Sequence, residues 1–162
     1  MTTRSPRMRE HTYRARVEWT GAARGPASDY ATYSREYRVE VDGKPALTGS
    51  ADPFFRGDPA LHNPEDLLVA AASACHLLTY LALCAREGIE VVSYADEAVG
   101  TMEETGGSGR IARIVLRPRV TIARGSVERA LALHERAHTD CFIARSVNFP
   151  VEHQPAVELV PA

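Results

Sequence analysis

The chain has 162 residues, of which 44% are hydrophobic and 25% charged, and its formal net charge is −2. That is the length and composition of one globular domain, neither disordered nor collagen-like. The near-neutral charge gives no reason to expect nucleic acid or an anionic membrane as partner. The expectation is that no stretch of about 18 apolar residues without charge exists, and so no membrane span. The Arg-rich start, Met1 to Glu10, lacks the apolar core of a secretory signal. The expectation is a cytoplasmic, single-domain protein over 1–162, with residues 1–10 as a loose tail.

Tyr13 to Thr20 alternates, with Tyr13, Ala15, Val17 and Trp19 on one side and Arg14, Arg16 and Glu18 on the other. This predicts a half-buried strand. Gly21 to Ser28 reads as a turn, and Tyr33 to Val41 alternates again. Asp42-Gly43 is a hairpin signal, so Pro45 to Ala51 is the returning strand. Ala51 to His62 is a long loop in which Phe54 and Phe55 are candidate walls of an apolar pocket, or plain core. Asn63-Pro64-Glu65-Asp66 opens a helix: a capping side chain, a proline in the first turn and two acids at the positive end. The helix is predicted from Pro64 to about Glu87, with Gly88 as its stop.

Between Leu67 and Ala85 this helix is apolar on nearly all sides, apart from Ser73, His76, Thr79 and Tyr80. A helix of that kind is buried, and a small domain alone struggles to cover it. A homodimer that wraps the helix from both sides is the simplest solution. Ile89 to Glu103 and Arg110 to Ile122 read as strands joined by the flexible Thr105 to Gly109. Ser126 is placed to cap a second helix reaching about His138, Thr139 to Ser146 carries Cys141, and Val147 to Val160 reads as a last strand. The order β-β-β-α-β-β-α-β groups its strands, which favours an α+β fold.

Three cysteines, Cys75, Cys84 and Cys141, do not make a disulfide scaffold. Each is either a buried structural thiol or a reactive one. Cys75 and Cys84 are nine residues apart and so face opposite ways on the helix. Cys75-His76 with His138-x-x-Cys141 offers four nitrogen and sulfur ligands for zinc. Adjacent helical residues point about 100° apart, which sets Cys75 and His76 against sharing one ion. The same angle places His76 at a pocket edge or against a partner chain rather than beside the thiol as a base. No phosphate-binding loop, dinucleotide fingerprint or serine-hydrolase elbow is present.

The run Asn63-Pro64-Glu65-Asp66-Leu67-Leu68-Val69-Ala70-Ala71-Ala72-Ser73-Ala74-Cys75 resembles the Asn-Pro-Glu-x-Leu…Ala-x-Ala-Cys signature of the OsmC/Ohr family. These are the osmotically inducible and organic hydroperoxide resistance proteins. Cys141 stands where that family places its second cysteine, and the resemblance runs from about His11 to Val160. It implies an OsmC-like fold in an intertwined homodimer with no cofactor. It implies a thiol peroxidase in which Cys75 attacks a small-molecule peroxide and Cys141 closes a disulfide that a dithiol, often lipoyl-based, reduces. It also implies that Glu65 and an N-terminal arginine support the thiolate. Trp19-Thr20-Gly21-Ala22-Ala23-Arg24-Gly25 is similar to a Trp-x-Gly…Arg-Gly stretch of relatives, which selects Arg24, with Arg35 and Arg56 as alternatives. Two departures adjoin the sulfurs: His76 replaces a common phenylalanine, and Cys141-Phe142-Ile143-Ala144 replaces a common Cys-Pro-x-Ser.

A free thiol titrates near pH 8.5, and burial raises that further, so a reactive Cys75 needs a cation. A guanidinium stays charged when partly buried, and a carboxylate such as Glu65 holds its fork in place. Glu65 and Cys75 are ten residues apart, about 15 Å along a straight helix. Either the helix breaks near Ala70 to Ala72, or Glu65 serves the Cys75 of another subunit. Two other readings stay open: a cysteine-nucleophile transferase or hydrolase using a Cys75–His76 contact, and a non-catalytic dimer that binds a small molecule.

Overall fold

A computed structural model of the chain describes residues 9–161. Most of the expected tail lies outside the described residues; Arg9 and Glu10 are exposed and belong to no helix or strand. The described residues form nine strands and two α-helices, and the contacts divide them into two compact units, up to Pro64 and from Glu65 onward.

The first unit is an antiparallel sheet in the order β1 (Arg16–Trp19), β2 (Tyr37–Glu40), β3 (Leu47–Gly49). β2 and β3 are joined through Asp42-Gly43, where Gly43 has φ 72°, as the hairpin signal requires. The stretch after β1 is a 3-10 turn over Thr20–Arg24 rather than a loose turn. β1 is shorter than the alternation suggested and is not half-buried: all four residues are exposed, Val17 at 65%. Alternation reports a two-faced strand, and here the chain itself supplies no layer to cover the apolar face.

In the second unit α1 (Pro64–Arg86) is one unbroken helix of 23 residues. It begins at the proline after Asn63, carries Glu65 and Asp66 in its first turn, and is followed by Gly88 at φ 70°. Two antiparallel strand pairs follow it, one nested inside the other in sequence. β4 (Glu90–Asp96) pairs with β7 (Pro118–Arg124), and β5 (Val99–Thr105) pairs with β6 (Ser108–Leu116). α2 (Val127–Asp140) is capped by Ser126, whose hydroxyl accepts from the Arg129 N–H at 3.1 Å. β8 (Val151–His153) and β9 (Ala156–Leu159) then add in parallel to β6 and β7. The sheet orders are β4-β7-β9 and β5-β6-β8. Each long strand run expected from the sequence is thus split in two, and the halves pair in different sheets. The splits fall at Glu97–Ala98, Arg117 and Gln154–Pro155.

α1 seats on two cores. Ala72 packs with Ile114, Leu116 and Val151 of the β5-β6-β8 side. Tyr80, Leu83 and Cys84 pack with Val120 and Ile122 of β7 and with Ala130, Leu133 and Ala137 of α2. The buried residues Ala72, His76, Tyr80, Leu83 and Cys84 share one face. Burial is therefore one-sided, not all round. Only 28% of the helix's apolar stretch is covered by the chain, and Leu78 is 65% exposed. α1 is also long and apolar enough to cross a membrane by length and composition, which corrects the expectation that no such run exists. Its seated face identifies it as the helix around which this unit is built.

Gly100 lets α1 approach β5: a Cβ there would lie 2.5 Å from Val69 Cγ2. Gly100→Val is expected to destabilise the protein by about 1–3 kcal/mol through overpacking. Urea unfolding checks this, and a second change, Val69→Ala, is expected to recover most of the loss.

Candidate functional site

Cys75 lies on the half-buried flank of α1, one position before the buried stripe residue His76. Cys141 is the residue that ends α2; its N–H bonds the His138 carbonyl at 3.3 Å, and it is 1% exposed. Its thiol lies within electrostatic reach of the Cys75 thiol, and both are free thiols. The Cys141 segment therefore packs against the middle of the central helix.

The segment is not a loose junction. Arg145 N–H bonds the Cys141 carbonyl at 3.1 Å, and the Ser146 hydroxyl bonds the Phe142 carbonyl at 2.7 Å. Ile143, Ala144 and Val147 pack on the cluster around Ala72 and Ile114. Burial pushes the Cys141 thiol up to about 11, and contact with Cys75 adds to the rise. N–H groups of Ala144 and Ile143 aimed at the sulfur pull the other way. Cys141 thus keeps its proton at neutral pH.

Cys84 is fully buried beside Tyr80 and faces away from this pair, as the nine-residue spacing requires. Burial raises its titration point, so it is an inert thiol of the core. Glu65 sits half-buried in the first turn of α1. With no break near Ala70 to Ala72, it stays about 15 Å of helical rise from Cys75 of its own chain.

The three candidate arginines line one recess of about 570 Å³ in the first unit. Arg24 ends the 3-10 turn and pairs with Glu36 at 2.6 Å. Arg35 lies over the Tyr33 ring at 4.0 Å and bonds the carbonyls of Tyr33 and Tyr30 at 2.7 and 2.6 Å. Arg56 stands at φ 64° beside the Tyr30 ring. Glu36 was not singled out from the sequence; its place just before β2 is the only signal it carries. Phe54 and Phe55 do not line this recess. They stack edge-on at 5.1 Å, and Phe54 is 72% exposed.

His76 departs most from expectation. It is 1% exposed, inside the unit, and neither at a pocket edge nor available to a partner chain. Its Nε2 lies 2.9 Å from His134 Nδ1, and its Nδ1 has no partner, so it does not contact Cys75 as a base. The His134 ring stacks on Tyr80 at 3.8 Å, His153 lies 5.6 Å from His76 and 5.1 Å from His138, and His153 Nε2 meets Glu135 at 3.2 Å. Four of the six histidines converge here. The readable signal was the stripe Ala72, His76, Tyr80 together with the four-residue spacing of His134 and His138 on α2. His153 reaches the cluster only through the parallel β6–β8 pairing, which no local pattern foretells. Since His76 faces His134 while Cys75 faces Cys141, the two do not converge on one ion. Among the described residues no three histidines, cysteines or acids are arranged to hold a metal.

Burial lowers His76 to about 4 and His134 to about 3, with neighbouring histidines adding to the effect and Asp96 opposing it at His76. Both folded values lie below the ordinary histidine value of 6.5. The unfolded chain therefore binds more protons over this window, and stability is present above about pH 6.5 and lost as the pH falls toward 4. The shifts of His76 and His134 are worth about 3 and about 5 kcal/mol. Urea unfolding from pH 7 to pH 4.5 is expected to show this loss, and the double change His76→Phe with His134→Leu is expected to flatten it.

The family described as OsmC-like protein matches residues 57–155. Uncharacterized protein YmaD of Bacillus subtilis (strain 168) is 30% identical over 96 residues, which is 57% of this chain and 64% of YmaD. The chain thus spans less than two thirds of that relative's length. Among solved structures, VCA0330, an OsmC-like protein of unknown function from Vibrio cholerae, aligns with a TM-score of 0.80 at 32% identity, over 90% of this chain and 99% of that one. An organic hydroperoxide resistance protein OsmC from Legionella pneumophila shares the fold, with a TM-score of 0.66 at 18% identity over 93% of this chain and 99% of that one. An Asn-Pro-Glu helix start with a cysteine on the same helix, a second cysteine brought against it, and these matches agree: the chain belongs to the OsmC-like family and has its α+β fold.

Proposed function

We propose that this protein is a thiol peroxidase that reduces organic hydroperoxides, with Cys75 as the attacking thiol and Cys141 as the resolving one. The observation that carries this reading is the approach of two free thiols from residues distant in sequence, with the segment after Cys141 packed on the cluster around Ala72 and the Cys141 thiol perturbed by Cys75. A structural cysteine gains nothing from a second thiol at that position; a redox pair requires it. Organic hydroperoxide resistance proteins occur among the structural neighbours, in keeping with this chemistry.

The Cys75 thiolate attacks one oxygen of ROOH and the O–O bond breaks. ROH leaves with the second oxygen and a proton, and Cys75 becomes a sulfenic acid. The Cys141 sulfur then attacks the Cys75 sulfur. The S–S bond forms, and the sulfenic hydroxyl leaves as water with the Cys141 proton. A dithiol, lipoyl-type in the family pattern, restores both thiols by exchange and is itself oxidised. The S–H of Cys141 supplies the proton for the departing water.

Arg24 is the proposed source of positive charge for the thiolate, and Glu65 the proposed carboxylate. Because α1 is unbroken, Glu65 is assigned to the Cys75 of a second subunit. The uncovered apolar side of α1, with Leu78, is the proposed contact between the two copies. The reading as a Cys75–His76 transferase or hydrolase lacks its thiol–imidazole contact, since His76 is committed to His134.

Dithiol-dependent turnover of cumene hydroperoxide tests the proposal. Wild-type protein is expected to turn over, Cys75→Ser to lose activity by at least about a thousandfold, and Cys141→Ser to stall after one equivalent with a sulfenic acid on Cys75. Full turnover by Cys75→Ser would overturn the assignment. For the shared site, Glu65→Ala and Cys75→Ser chains are mixed. About a quarter of the wild-type rate is expected to return in an equimolar mixture if one of two pockets regains both groups in the mixed dimers; no recovery contradicts a shared site.

A further inference from the structure

The recess of the first unit holds more positive charge than the thiol chemistry uses. Arg24 has its own carboxylate, Glu36, at 2.6 Å. Arg35 and Arg56 form no ion pair among the described residues. Arg35 is half-buried, with its guanidinium fixed by two backbone carbonyls, which orient it without neutralising it. It lies 5.0 Å from the centre of the Tyr30 ring, and Arg56 lies 6.0 Å from the same centre. Two guanidinium groups with no carboxylate partner thus line one cavity of about 570 Å³, and both lie within 6.0 Å of the Tyr30 ring centre. Like charges lining one cavity repel, and a counter-ion between them relieves that repulsion.

The remaining walls suit such a guest. Ser50, 2% exposed, accepts from the Asp58 N–H at 3.0 Å, which leaves its own hydroxyl proton to donate. Thr32 and Ser28 add hydroxyls to the lining. Asp58 also lines the recess, but its carboxylate is engaged by the Ala60 N–H at 2.9 Å. The volume falls in the range of small-molecule pockets and far exceeds a bare inorganic ion.

We infer that the Arg35–Arg56 recess is a binding site for a small organic oxyanion, a carboxylate or phosphate ester whose charged end lies between the two guanidinium groups. The fork of Arg56 matches the two oxygens of such a head group, Arg35 adds its oriented charge, and Pro26 and Ala31 give an apolar wall for the body. The inference does not rest on the peroxidase reading, because it uses neither thiol, although Arg24 lines the same recess.

Arg56 makes the test clean. Among the described residues it is the only non-glycine at positive φ, at 64°. Arg56→Gly removes the guanidinium and at the same time relieves a left-handed backbone, so the fold is expected to keep or raise its melting temperature. The reduced full-length protein is titrated, without peroxide, with benzoate, phenyl phosphate, inorganic phosphate and the uncharged benzamide, by calorimetry and by NMR. Benzoate or phenyl phosphate is expected to bind saturably, at least about tenfold more tightly than benzamide. Arg56→Gly and Arg35→Met are each expected to weaken that binding at least about tenfold. The stronger of the two aromatic anions identifies the head group, and inorganic phosphate binding as well as either places the selectivity in the charge alone. No saturation by either aromatic anion, equal binding of benzamide, or binding that survives Arg56→Gly overturns the inference. None of those results bears on peroxide turnover.

Discussion

The thiol contact depends on one packing constraint: α1 is a straight helix that can bury only one stripe. Ala72, His76, Tyr80 and Leu83 occupy that stripe and lock the helix against two sheets. Cys75, one position earlier, is thereby turned to the flank, half-buried rather than entombed. The end of α2 and the turn after it deliver Cys141 to that flank, and their backbone bonds hold it there. A sulfur that must meet a solute and then a second sulfur needs such a border position. Deeper in the stripe no peroxide arrives; farther out the partner thiol does not reach.

The interior beside this flank is costly in acid. Four imidazoles share it, and His76 and His134 satisfy one nitrogen each by bonding each other while His76 Nδ1 and His134 Nε2 remain without partners. An apolar pair in the same place would remove that burden. Only neutral rings fit, so the second unit is built for conditions near or above neutral pH. The first unit distributes charge differently. Arg24 is matched by Glu36, while Arg35 and Arg56 are left facing a cavity. Surface ion pairs contribute little to stability, so this distribution bears on binding more than on the fold.

Much of this architecture was legible in the residues. The Asn-Pro-Glu-Asp start and Gly88 stop bound α1 to within a residue, Ser126 caps α2, and Asp42-Gly43 turns the first hairpin. These are local signals, carried by residues that touch only their own neighbours in sequence. The two cysteines were legible through their motif and spacing. What escaped is non-local. The division of each long strand run into halves in different sheets is decided by which partner strand lies alongside. The histidine cluster joins α1, α2 and β8, and Glu36 meets Arg24 across a turn. The unbroken course of α1 was an open alternative from sequence, because an alanine-rich run such as Ala70 to Ala72 carries no break signal and its helix propensity favours continuity.

The most direct measurement is a count of free thiols in the reduced protein after one equivalent of cumene hydroperoxide, with the disulfide located by peptide mass spectrometry. The account predicts the loss of two thiols per chain as a single Cys75–Cys141 bond within one chain, with Cys84 still free. Three titratable thiols remaining in a folded protein, or a disulfide that involves Cys84, would contradict it.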